Sequence, residues 1–247
     1  MGYKIILGRN QLRGKNVLGV GAHPDDLEIL CGGTLAKYAK EGYSVVMGHL
    51  CRGDKGHFEI ESEELAKIRS KEAADAAREI GARSVCLGFN DLELYVNENS
   101  RKAVVDLIRE AKPDIIITHS PNDYMPDHVA TSRLVFDASF TATLPNFITE
   151  KPAHTVMPTI FYADTLAGID FQPTDYVDIT KCWRKKVKML SKHKSQITWL
   201  KKHDNIDILE FIEVNARFRG QQCGVKYAEA FKLCEVWPRI KPRRLLP

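Results

Sequence analysis

A chain of 247 residues with 44% hydrophobic and 28% charged content can bury one substantial core, or one core with a small subdomain. A net charge of +4 is too mild to mark a nucleic-acid binder, and much of the excess lies in 181–202 and 239–244, which read as a solvated helix face and a tail. No segment approaches the roughly 20 apolar residues of a bilayer span, residues 1–15 carry no signal-peptide pattern, and Cys31, Cys51, Cys86, Cys182, Cys223 and Cys234 show no short paired spacing; a cytoplasmic protein with no membrane span is expected.

Residues 16–20 predict a short buried strand, and 32–40 carry apolar residues at helical spacing. Between them, Gly21-Ala22-His23-Pro24-Asp25-Asp26-Leu27-Glu28 places a polar cluster at the strand's carboxyl end. Pro24 holds His23 extended and has no backbone N–H to donate, which suits a turn that presents side chains. An imidazole followed by two carboxylates can hold a metal ion and keep a base beside it. The same residues also suit an ordinary capping turn, with Asp25 or Asp26 on the free amides of the next helix.

Residues 43–50 form the second strand, and the loop 51–57 that leaves it has two glycines without P-loop spacing, so it is expected to face a substrate rather than cradle a phosphate. A long amphipathic helix follows over 61–80, stopped by Gly81, and carries Arg69; its plain reading is a surface Arg paired with Glu72 or Glu64. The third strand, 84–88, ends near Asp91, a residue that also suits a simple turn. A helix over 101–112, a strand over 114–118 and a helix over 129–140 complete the first half. Four strands separated by helices imply an α/β fold, Rossmann-like, with a mostly parallel sheet and helices on both faces. No Gly-x-Gly-x-x-Gly follows the first strand, so no dinucleotide is expected.

The loop after the fourth strand, Thr118-His119-Ser120-Pro121-Asn122-Asp123-Tyr124-Met125-Pro126-Asp127-His128, repeats the first geometry. Two parallel strands bring their exit loops to one sheet edge, where His128 can join His23 and Asp26 around one ion. Beyond 141, Pro145, Pro152 and Pro158 mark a loop or lid, and strands are expected at 159–163 and 176–179. Thr180 reads as the cap of a helix that starts near Trp183 and carries His193 and Gln196, and 206–220 looks helical. The chain thus reads as one domain: core 1–140, lid and a small C-terminal strand and helix extension 141–237, and a Pro- and Arg-rich tail 238–247.

Ala22-His23-Pro24-Asp25-Asp26 and Pro126-Asp127-His128 resemble two signatures of the LmbE-like or PIG-L deacetylases, which remove acetyl groups from N-acetylglucosamine-type compounds. Arg52-Gly53-Asp54-Lys55-Gly56, Arg69 with Glu72, Leu87-Gly88 with Asp91, His193-Lys194-Ser195-Gln196 and Ala228-Glu229-Ala230-Phe231 are similar to further elements of that family, in the same order, from near Lys15 to near Phe231. The resemblance implies that His23, Asp26 and His128 bind zinc, that Asp25 is the general base, that Arg69, Asp91 and His193 meet the substrate, and that copies assemble into a homo-oligomer. Three protein ligands agree with a catalytic site, because they leave the ion a position open to water. Another divalent ion suits the same ligand types.

At one position the chain departs from the family pattern. Met125 stands where relatives carry a His that supports the oxyanion, oriented by the counterpart of Asp127. A thioether donates no hydrogen bond. Losing one oxyanion donor costs about 10²–10³ in rate, which leaves catalysis possible through the ion alone or through His193 or His119. The expected activity is metal-dependent removal of an acetyl group from a small-molecule amino-sugar derivative. An amidase acting on another N-acyl compound and a non-catalytic sugar-binding protein stand beside it, the latter disfavoured because a binder needs no base beside the metal.

Overall fold

Both faces of the central strands are apolar, and successive side chains feed opposite sides, as a strand's two-residue period requires. Val17, Val45, Met47 and Ile117 enter one core, while Leu18, Val46 and Ile116 enter the other. The computed structural model, which describes residues 16–237 and 239, builds these strands into one seven-stranded sheet. The strands are β1 (Asn16–Gly21), β2 (Ser44–Cys51), β3 (Arg83–Phe89), β4 (Ile115–Thr118), β5 (Thr159–Ala163), β6 (Asp175–Asp178) and β7 (Ala228–Leu233), in the order β3-β2-β1-β4-β5-β7-β6. Strands β1 to β5 pair in parallel, and β7 runs antiparallel to both β5 and β6.

Among the described residues, seven α-helices cover the sheet: α1 (Asp26–Lys40), α2 (Ser62–Arg78), α3 (Glu98–Ala111), α4 (Pro126–Thr141), α5 (Trp183–Leu190), α6 (Lys194–His203) and α7 (Ile208–Cys223). Val104, Val105 and Ile108 of α3 and Leu134, Val135 and Ala138 of α4 fill one core. Leu27 and Leu35 of α1, Ala76 and Ala77 of α2, and Met189 of α5 fill the other. The fold is therefore α/β, with a mostly parallel sheet and helices on both faces. No helix among the described residues is long and apolar enough to cross a membrane. The expected N-terminal stretch 1–15 and tail 238–247 lie outside the described residues, apart from Arg239.

Several boundaries differ from the expectation for local reasons. Helix α1 starts at Asp26, six residues before 32, and is broken at Cys31 (φ −141°). The break is held by a buried ion pair. Lys186 Nζ donates to the Ile29 carbonyl at 2.6 Å and to Glu229 Oε1 at 2.5 Å, while the Glu229 carboxylate accepts from the N–H groups of Gly33 (2.9 Å) and Thr34 (2.7 Å). The ammonium satisfies an orphan carbonyl of the first segment and the carboxylate caps the amides of the second, as charge at helix ends favours. Glu229 sits on β7, a strand not expected from the sequence. Helix α4 starts at Pro126, a residue suited to the first helical position, so His128 lies on a helix rather than ahead of one. The single helix expected from Trp183 is two: α5 ends at Leu190 and α6 begins at Lys194, with His193 between them. Cys182, not Thr180, precedes α5, and the Thr180 hydroxyl accepts from Tyr227 N.

Lys186 and Glu229 are 2% and 4% exposed, so removing one leaves the other charged in a dry interior. Glu229→Ala is expected to cost about 3–5 kcal/mol in urea denaturation, and the double change Lys186→Met with Glu229→Leu clearly less.

Candidate active site

Strand order reverses direction between β1 and β4, and the loops after these two strands face each other there, at the position where open α/β sheets bind ligands. His23, Asp25 and Asp26 leave β1; Asp123, Met125, Asp127 and His128 leave β4. Pro24 forces an extended entry, after which Asp25 is held at φ 114°, a conformation uncommon for a residue with a side chain. Ile29 N donates back to the Asp25 carbonyl at 3.0 Å and starts the helix, so Asp25 and Asp26 point from its first turn.

The structure brings His23, Asp26 and His128 together, with one ligand atom from each lying within 4.8 Å of the others. His128 Nε2 is 3.4 Å from Asp26 Oδ1, and His23 Nδ1 is 3.5 Å from Asp26 Oδ2. Each imidazole is tied on its other nitrogen to a carboxylate: His128 Nδ1 donates to Asp123 Oδ2 at 3.0 Å, and His23 Nε2 to Asp127 Oδ2 at 3.0 Å. With those bonds made, the other nitrogen of each ring faces Asp26, and His128 Nε2 is buried with no hydrogen-bond partner. Carboxylate-tied imidazoles converging on a third carboxylate are a donor set that can hold a divalent metal ion. The field agrees with this fit. Burial opposes a charge on His23, yet Asp127 and Asp26 raise it to about 10; burial likewise opposes one on His128, yet Asp26 and Asp123 raise it to about 9. A pocket that holds protons this firmly favours a cation.

Asp123 escaped the sequence reading, although it lies five residues before His128 in the same loop. Asp127 holds His23, whereas the resemblance gave its counterpart the task of orienting the imidazole that Met125 replaces. His119 stacks on His128 at 3.8 Å between ring centroids, and its Nε2 accepts from Ala22 N at 2.9 Å. Burial and neighbouring His128 push it down to about 4, so it is a neutral packing partner.

Asp25 is buried, and burial pushes its carboxyl up to about 6 against the pull of Arg69. Arg69 is 3% exposed, which excludes the surface-pair reading. Its Nη2 donates to the Pro24 carbonyl at 2.8 Å and to Asp25 Oδ1 at 3.3 Å. Gly53, at φ 74°, cradles the guanidinium: a Cβ there would lie 2.7 Å from Arg69 Nε. Asp91 accepts from Gly53 N at 2.8 Å, tying the loop after β3 to the loop after β2. His193 is fully buried, with Nε2 3.3 Å from Glu28 Oε1. Glu28, a second omission of the sequence reading, holds that ring from α1.

A cleft of about 330 Å³ opens over these groups, lined by His23, Asp25, Asp26, Arg69, Asp91 and His128, together with Met125, Gln196 and a set of apolar side chains. His119 and His193 stand behind its wall. Neither lines the cleft, so neither replaces the donor absent at Met125, whereas Gln196 does line it. Calorimetric zinc titration is expected to show one site that is lost in His128→Ala, and Asp123→Asn is expected to weaken it about 10–100-fold by freeing the ring.

Comparison with known proteins places this geometry. The profile of the PIG-L family, described as GlcNAc-PI de-N-acetylase, matches residues 18–139. Diacetylchitobiose deacetylase of Thermococcus kodakarensis is 30% identical over 230 residues, covering 88% of this chain and 82% of the relative. A 4-oxalmesaconate hydratase of Pseudomonas putida is 26% identical over 184 residues, covering 70% of each chain. The solved N,N'-diacetylchitobiose deacetylase of Pyrococcus horikoshii superposes with a TM-score of 0.78 at 28% identity, over 91% of this chain and 86% of that one. The chain belongs to the PIG-L family of LmbE-like deacetylases.

Proposed function

We propose that this protein is a metal-dependent hydrolase that removes the acetyl group from the amide nitrogen of an N-acetylglucosamine-type compound. The observation that carries the reading is the position of Asp25, a buried carboxylate beside the His23, Asp26 and His128 donors and on the wall of the same cleft. A divalent ion held by those donors, zinc by ligand type, would supply Lewis acidity to the amide carbonyl and acidity to a water. Asp25 takes the proton of the attacking water and returns it to the leaving amine as the C–N bond breaks. Arg69 engages Oδ1 of Asp25 and favours its charged form, which offsets the effect of burial. Asp91 and Arg69 border the cleft where the sugar hydroxyls would lie, and His193 acts from behind, its charge set by Glu28 and felt by Asp25.

The hydratase among the relatives raises a second chemistry, addition of water to an unsaturated acid. The cleft argues against it for this chain. Arg69 is the single Lys or Arg among the described residues that line it, and that guanidinium is committed to Asp25 and Pro24. Apart from the proposed ion, a substrate bearing several carboxylates would meet Asp25, Asp26 and Asp91 with no Lys or Arg free to pair with it.

Acetate release from N-acetylglucosamine derivatives in the presence of zinc is expected for the native protein and expected to fall about 10²–10⁴-fold in Asp25→Ala. Equal release by both proteins would defeat the mechanism. Met125→His, which returns a donor to the cleft, is expected to raise kcat by up to about 10² without changing metal affinity.

A further inference from the structure

The cleft is divided along the sheet edge. In strand order, Asp91 follows β3, the glycine loop 53–56 follows β2, the proposed metal donors follow β1 and β4, and the turn Leu166–Gly168 follows β5. Polar groups therefore lie on the β3 and β2 side of the donors. On the β5 side the wall is apolar, with Leu166 and Ile169 from the turn after β5, joined by Ile206 and Phe211 from the link after α6 and the start of α7. Ile169 and Ile206 remain 53% and 38% exposed at this wall. Apolar side chains contiguous with a catalytic centre and left in water mark a place that a ligand covers.

An amide held with its carbonyl at the donors has the sugar, and whatever the sugar carries at C1, on the nitrogen side, and the acyl chain on the carbon side. With the sugar at Arg69 and Asp91, the acyl chain runs toward the β5 side. We propose that this half of the cleft also takes a linear N-acyl chain longer than acetyl, which extends the reading above from the acetyl group to a medium-length fatty amide of the same amino sugar. This rests on the hydrolase reading above. In the reaction, the water oxygen bonds to the acyl carbon, the C–N bond breaks, its electron pair takes a proton on nitrogen, and a fatty acid and an amine leave.

The test is amine release by the zinc-loaded protein from glucosamine carrying acetyl, butanoyl, hexanoyl or octanoyl groups, in parallel with the octyl β-glycoside of N-acetylglucosamine. The proposal expects kcat/KM for hexanoyl to exceed that for acetyl by about tenfold or more, since each methylene gains burial. It also expects Ile169→Asp or Ile206→Asp, changes at exposed positions, to bring that ratio close to one. A flat or falling series that neither variant alters would overturn the proposal while leaving the hydrolase reading intact. A gain for the octyl glycoside with a flat acyl series would overturn it as well, by assigning the apolar wall to the sugar's substituent. Release from no compound in either series would remove the hydrolase reading, and the proposal with it.

Discussion

One carboxylate organises the site. Asp26 Oδ2 accepts from His23 N at 2.6 Å and lies 3.1 Å from His119 Nε2, while Oδ1 faces His128 Nε2 at 3.4 Å. Burial alone would raise its pKa, but the charge of neighbouring His128 outweighs that and holds the carboxyl well below the usual range. Its partners come from two loops about a hundred residues apart in sequence, and they meet because β1 and β4 are neighbours in the sheet. Breaking that pairing would separate the donors. The parallel sheet is thus the device that turns two short polar motifs into one cluster.

Around this centre, each important side chain is held by a second one. Asp123 and Asp127 fix the two imidazoles, Gly53 makes room for Arg69, and Arg69 fixes Asp25. The first segment of α1, which carries Asp26 and Glu28, is clasped where the helix breaks by Lys186 and Glu229. These buried charges cost desolvation, and a dry apolar packing of the same volume would serve stability as well. What they add is direction: the helix segment is aimed at the cleft instead of continuing on its axis.

The strands and the two polar loops were legible because 16–20, 43–50 and 114–118 are apolar runs that end in dense clusters of His and Asp. His23, Asp25, Asp26, Arg69 and His128, which the structure brings to one cleft, could be picked out from such local patterns and the family resemblance. What escaped was set by distant residues. The break in α1 depends on Lys186 and Glu229, more than 150 residues away, so neighbouring sequence carried no sign of it. Strand β7 was hidden because the buried Glu229 disrupts its apolar pattern, and that Glu is there to cap α1. His193 looked like one more position in a helix, yet the chain pauses there to set its ring against Glu28. Met125 was recognised as a departure, but only the three-dimensional arrangement shows Asp127 bonded to His23.

The most direct measurement is an anomalous difference map at the zinc absorption edge, from crystals grown with the metal. The account predicts one strong peak about 2.0–2.2 Å from His23 Nδ1, a carboxylate oxygen of Asp26 and His128 Nε2, with Asp25 beside it but not bound to it. A peak on His119 and Asp123, a peak on Cys51 and Asp91, or no peak at saturating zinc would contradict it.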